Sequence, residues 1–471
     1  MRISALALIG LAAAGLLASQ APVQAQAVRS GPLPTPLPLF PPDNWWNVDV
    51  SAAPLDTNSA AYISFIGTTR ALHPDFGGDE DPSDPNNTNI YGMVYISVPG
   101  TQALQPVTFV EFGSQSDNGS PGRPNGYPIP VEARTQARWI EGGEPGGGSD
   151  GDHHMLIVDR DNRILYELYH TFWNPSLSRW EAGSGAIYAL DANGRRPEGW
   201  TSADAAGLAI LPGLVRYDEA FGTVPIKHAI RFTTRDTNGH VYPASHTACN
   251  TCAAAAPPMG TRLRLKASKN ISTFTPEVQR IFQAMKTYGL ILADNGSDMY
   301  IQGAYDTRWN NDVLNPAFGS LKASDFEVVQ RGWRPAVATS TAAIRFYTIS
   351  PCRLLDSRDP FGTWGGPAMP PTGQRVIRAT GRCGIPTTAK AISINLSIVN
   401  AGQAGHLRSF PGDFDTAAVP NSFVINFGPG QTRTNNAILK LSGSGTGTFG
   451  LQNFTTSAFT HIVVDVNGWF E

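Results

Sequence analysis

Charge is scarce in this chain of 471 residues. Only 15% of them are Asp, Glu, Lys or Arg, and the formal net charge is -3. With no basic excess to track phosphates, no nucleic-acid partner is expected. Familiar catalytic signatures are lacking too. There is no His-Glu-x-x-His and no P-loop. A nucleophile elbow or a dinucleotide fingerprint needs a glycine-rich turn that leaves a strand and opens a helix. The Gly-rich segment from Glu141 to Gly151 leads into a strand instead. These absences argue against common serine hydrolases, zinc proteases, NTPases and Rossmann oxidoreductases. Beyond the first residues, no apolar run is long enough to cross a bilayer.

Cysteine is limited to Cys249, Cys252, Cys352 and Cys383. An even count suits disulfides in an exported chain, pairing Cys352 with Cys383 and Cys249 with Cys252. Export is indicated by the N-terminus. Arg2 precedes an apolar run from Ile3 to Ala18, and small residues follow as Val23-Gln24-Ala25 and Ala25-Gln26-Ala27. That order describes a cleavable signal peptide over residues 1–27 and a secreted protein: extracellular, periplasmic or cell-surface. No membrane span is expected after cleavage.

Gly (48) and Pro (37) are abundant, which suits short strands joined by turns. Residues 28–42 are Pro-rich and read as an extended surface segment. Strand-like runs follow, among them Met155 to Val158 and Ile164 to Tyr169, a hairpin around Asp161-Asn162. One helix stands out: Thr275 can cap it, Pro276 fits its first turn, and Val278, Ile281, Phe282 and Met285 repeat at helical spacing. Residues 331–343 read as a linker, and the pattern beyond them is all strand. The expected architecture is mainly β. A sandwich or jelly-roll-like main domain with at least one helix spans 43–330, and a separate β-sandwich spans 344–471.

Titratable side chains crowd one region. Six of the nine histidines fall between positions 153 and 246, with Asp152, Asp159, Glu167, Asp204, Asp218 and Glu219 among them. Such a gathering invites a site. Glycoside hydrolysis needs one protonated and one ionised carboxyl group. Glu167, mid-strand between apolar neighbours, is the candidate acid, and Asp204 the candidate carboxylate. His154 with Arg231 would instead suit a polysaccharide lyase. Trp45, Trp46, Trp173, Trp180 and Trp200 are available to stack on sugars, with Trp173, Trp200 and Arg231 the chosen substrate-binding candidates. A competing reading is a divalent metal (Zn, Cu or Mn) on His154, His228 and His246. A third is a non-enzymatic adhesion or glycan-binding protein.

Several stretches have a family look. Ser149-Asp150-Gly151-Asp152-His153-His154, Leu165-Tyr166-Glu167-Leu168, Gly199 to Gly207, Arg216-Tyr217-Asp218-Glu219 and His228-Ala229-Ile230-Arg231-Phe232 resemble an uncharacterised family of secreted bacterial and fungal proteins. That likeness spans about residues 40–330 and brings no activity with it. Pro351 to Arg358, Gly381 to Pro386 and Val464 to Phe470 resemble a small accessory β-domain appended to many secreted bacterial proteins. The second resemblance implies attachment to a surface or ligand. The resulting expectation is a secreted enzyme cleaving an extracellular polysaccharide or cell-surface polymer.

Overall fold

A computed structural model describes residues 26–78, 90–119, 124–148, 151–333, 344–413, 423–443 and 445–471. Most of the expected signal peptide of residues 1–27, most of the 75–89 loop and linker residues 334–343 lie outside them. The chain is mainly β, as its composition implies. No helix among the described residues is long and apolar enough to cross a membrane.

The first 333 residues build three sheets. One orders its strands Val28–Arg29, Tyr95–Val98, Met155–Asp159, Ile164–Tyr169 and Ser184–Ala189. A second runs Phe326–Val328, Arg262–Leu265, Leu290–Asn295, Ile230–Thr234, Tyr300–Gln302 and His73–Asp75. A third has only Val107–Phe109, Arg179–Ala182 and Phe172–Asn174.

The 155–169 hairpin forms in the expected register, with Leu156 opposite Glu167 and Val158 opposite Leu165. Opposed residues share a face, so the period of two decides what each side chain meets. Leu156, Val158 and Leu165 join a core with Ile230, Phe232, Leu290 and Leu292 of the second sheet. Met155, Ile157, Tyr166 and Leu168 point the other way, into a smaller core with Trp180 and Ala182 of the third sheet. The first sheet is therefore apolar on both faces.

The helix forms over Pro276–Thr287 and adds Val278, Ile281, Phe282 and Met285 to the larger core. It feeds directly into Leu290–Asn295, which lies parallel to Ile230–Thr234. That parallel pairing requires a long crossover, through Arg262–Leu265 and the helix. The Pro-rich segment departs from expectation at its C-terminal end. Leu39 and Phe40 are buried in the larger core, and Asn47 donates to the carbonyls of Leu39, Phe40 and Pro41. The segment keeps Val28 and Leu37 exposed and is anchored to the fold at Leu39 and Phe40.

The C-terminal part is a sandwich of two four-stranded sheets. One holds Phe346–Asp356, His461–Phe470, Ala391–Val399 and Arg433–Lys440; the other holds Gln374–Arg378, Thr448–Asn453, Gly405–Pro411 and Ile425–Phe427. Its core of Leu354, Ile392, Leu396, Phe449, Leu451 and Val464 is its own. Disulfides join Cys352 to Cys383 and Cys249 to Cys252.

Candidate functional site

At one end of the larger core the apolar packing gives way to ionisable groups. The hairpin alternation continues past Leu156 to His154 and past Glu167 to Tyr169, whose rings lie 5.6 Å apart. The second sheet contributes Arg231 and Asp294 from its parallel pair of strands. Arg231 is 1% exposed and donates from one Nη to Asp204 (2.9 Å) and to Asp294 (2.8 Å). Its Nε reaches the second Asp204 oxygen at 3.3 Å.

His154 is equally committed. Its Nδ1 donates to Glu141 Oε2 at 2.6 Å, and its Nε2 to the Ala203 carbonyl at 3.0 Å. Two acceptors require both nitrogens to carry a proton, so the ring is an imidazolium. Burial opposes that charge, but the Glu141 carboxylate overrides it and raises the pKa to about 9. Burial likewise resists ionisation of Glu141, and the His154 charge holds it down to about 2. The Gly-rich segment brings Glu141 there. At Gly147, φ is +91 and a Cβ would come 2.1 Å from the Thr171 carbonyl oxygen. Only glycine lets this loop lie so close against the end of the hairpin.

Asp152, Tyr169 and Asp294 face outward from this buried layer. Asp152 is exposed, and Asp294 keeps 26% of its side-chain surface. Desolvation on its protein side raises the Asp152 pKa; His154 pulls it down, while Glu141 and Asp294 add to the rise. Partial burial, then Asp152, Glu111 and Asp294, push the Tyr169 hydroxyl up to about 12. Asp75 is raised as well, by burial and by Glu141. The arrangement thus sets the Asp152 and Asp294 carboxyl groups around one phenol. Two buried cations, both already paired, support them from below.

The residues chosen from sequence fare differently. Glu167 is fully buried and accepts the backbone N–H groups of Ile210 (2.9 Å) and Leu211 (2.9 Å). Burial lifts its pKa to about 7, against the pull of those donors. The raised pKa matches the expectation for an acid, but the carboxyl is turned onto the protein's own backbone, out of a polymer's reach. Asp204 is buried too; desolvation lifts it to about 6 despite Arg231. Its role is to neutralise Arg231.

His154, with no free lone pair, is neither a base nor a ligand. The three-histidine metal site is corrected for the same kind of reason. His228 faces the Ala229 carbonyl and Glu219, and His246 faces the Ala205 carbonyl. Among the described residues no three His, Cys, Asp or Glu side chains gather so as to hold a metal ion.

Of the substrate-binding candidates, Arg231 is in the cluster but inaccessible. Trp200 lies under the Arg196 guanidinium, 5.3 Å from its ring. Trp173 lines a separate cleft of about 540 Å³ with Trp180, Glu132 and Arg134. Trp46 is wholly buried, and Trp45 and Trp180 nearly so.

Sequence reasoning missed Glu141 and Asp294. Asp294 ends the apolar run Leu290-Ile291-Leu292-Ala293, which abuts the helix with no alternation to mark it as a strand.

No family model matches the chain, and no curated protein matches it. Solved structures give only faint likenesses. Two crystal structures of the Tobacco streak virus coat protein share 10% and 12% identity, both at TM-score 0.16. They cover 27% and 28% of this chain, and 90% and 89% of the coat protein. The K3 cleaved adhesin domain of Lys-gingipain from Porphyromonas gingivalis shares 12% identity at TM-score 0.15. The match covers 26% of this chain and 69% of that domain. At such TM-scores they carry no argument about fold or function.

Proposed function

We propose that the protein is a secreted carbohydrate-active enzyme that hydrolyses a polysaccharide, with Asp152 and Asp294 as its working carboxyl groups. One observation carries the reading: the partly exposed carboxyl groups of Asp152 and Asp294 sit at the end of a buried layer of Arg231–Asp204 and His154–Glu141 ion pairs, where burial raises the Asp152 pKa. Hydrolysis needs one carboxyl protonated and one ionised. The raised pKa of Asp152 suits the acid, and Asp294, hydrogen-bonded by Arg231 at 2.8 Å, is assigned the carboxylate role. Elimination is disfavoured. A tyrosine base is poor when its pKa is raised, and Arg231, 1% exposed, is out of reach of a uronate.

The test is a panel of plant, fungal and bacterial polysaccharides incubated with wild type, Asp152→Asn and Asp294→Asn, with and without chelator. New reducing ends from wild type should fall by ~10²-fold or more in either variant, and chelator should not matter. An unsaturated product would turn the assignment to a lyase. A non-enzymatic glycan-binding reading is favoured by the cleft of Trp173 and Trp180. Retention on a glycan column with no product from any substrate would establish it and end the hydrolase proposal.

A further inference from the structure

A third carboxyl group, Asp75, stands near Asp152 and Asp294, and the hydrolase reading leaves it unused. Alternation along the second sheet places it. Phe232 and Ile301 are opposed, and both enter the larger core. Their neighbours Arg231 and Gln302 therefore leave by the other face. Gln302 is opposed in turn to Asp75, and Tyr300 to His73. One face thus carries Arg231, Gln302 and Asp75, with the Tyr300 and His73 rings 4.4 Å apart beside them. The charges of Glu141 and Arg231 both act on Asp75, as they do on Asp152.

What this face still offers a ligand is acceptors. Its cations are spent, since Arg231 and His154 are buried and paired. Asp152 is exposed, and Asp75 and Asp294 are half-buried. Gln302 is 7% exposed, and its Oε1 meets no hydrogen-bond donor among the described residues. An orphaned acceptor is costly, and burial and Glu141 already push the Asp75 pKa up. A ligand that is cationic and donates hydrogen bonds relieves both. A uronate is repelled, a plain hydroxyl brings no charge, and an N-acetyl group brings a methyl and no charge. Building on the hydrolase reading, we propose that the substrate is a polysaccharide of amino sugars with free amines. One ammonium is held by Asp75 and the Gln302 Oε1, with its sugar ring against Tyr300.

Wild type, Asp75→Asn and Gln302→Met are given chitosan, its fully acetylated counterpart and a neutral soluble glucan. Binding of a glucosamine hexamer is measured separately by calorimetry on Asp152→Asn. Reducing ends should appear from chitosan and not from the acetylated polymer. Each of the two subsite variants should raise KM for chitosan ~10-fold or more and change kcat less. The hexamer should bind more weakly as salt is raised, and an N-acetylglucosamine hexamer should not compete with it. Cleavage of the neutral glucan with chitosan untouched would overturn the substrate class and leave the hydrolase reading standing. Hexamer binding that Asp75→Asn weakens, with no product from any glycan, would end the hydrolase reading and leave amine recognition standing. A wild-type KM in both folded variants would overturn the subsite.

Discussion

Arg231 serves two carboxylates of different standing. Asp204 is wholly buried and Asp294 is partly open, so the guanidinium is neutral to the core and still felt at the surface. Removing it strands Asp204 in the interior. Arg231→Met should cost about 3–5 kcal/mol in chemical denaturation, and Asp204→Leu in the same molecule should recover most of it. A single variant no less stable than wild type would mean that Asp204 is not charged in the fold. Glu167 gives a pH signature of the opposite kind. Its folded pKa of about 7 lies above the usual 4.5, so its ionised form is the disfavoured one. The destabilisation is absent below about pH 4.5, grows as pH rises, and saturates above about 7. It should reach on the order of 3 kcal/mol. Glu167→Gln should flatten that slope in stability measured across pH 4 to 8; an unchanged slope would sink the assignment. Sequence alone singled out Glu167, Asp204, His154 and Arg231 as special, because charge is rare here and concentrated between strands. It did not show who pairs with whom. Glu141 lies in a glycine-rich loop whose path depends on contacts with Thr171, and no local pattern encodes such a partner.

At the scale of elements, periodicity was the readable signal. The helix over 276–287 was legible because its apolar residues repeat at a single period, and the hairpin over 155–169 because two apolar runs flank an Asp-Asn turn. The strand Leu290–Asn295 was not, since an apolar run abutting a helix has no alternation to mark it. The helix also separates packing from capping. Thr275 sits at the N-cap in an extended conformation but makes no side-chain cap hydrogen bond. Thr275→Ala should therefore cost well under ~1 kcal/mol, below the usual loss for a working cap. Phe282 is fully buried against Phe274 and Phe318, and Phe282→Ala should cost about 3–5 kcal/mol. Equal losses from the two, measured by urea titration, would show that the helix is held by its end and not by its face.

Over the whole molecule, the two parts keep separate cores and meet along a shared boundary among the described residues. Thr446 donates to Asp43 at 2.8 Å, Thr363 donates to Asp191, and Phe361 packs on the smaller core of the first part. Truncation after residue 335 should leave a folded remainder that melts cooperatively; an insoluble remainder would show that the cores depend on each other. Replacing Cys352 and Cys383 by serine opens a loop of 31 residues. That should lower the stability of the C-terminal part by about 3.5–4 kcal/mol and leave the first part's transition unmoved. Pairing across the first part has a consequence for timing. His73–Asp75 hydrogen-bonds to Tyr300–Gln302, and Leu55 bridges to Val329. A chain emerging from its N-terminus cannot close the second sheet until nearly the whole of that part is available. Closure over such separations is entropically slow. The nascent chain thus stays open through most of its emergence, the state in which a polypeptide can be threaded through a narrow translocation channel before it folds on the far side.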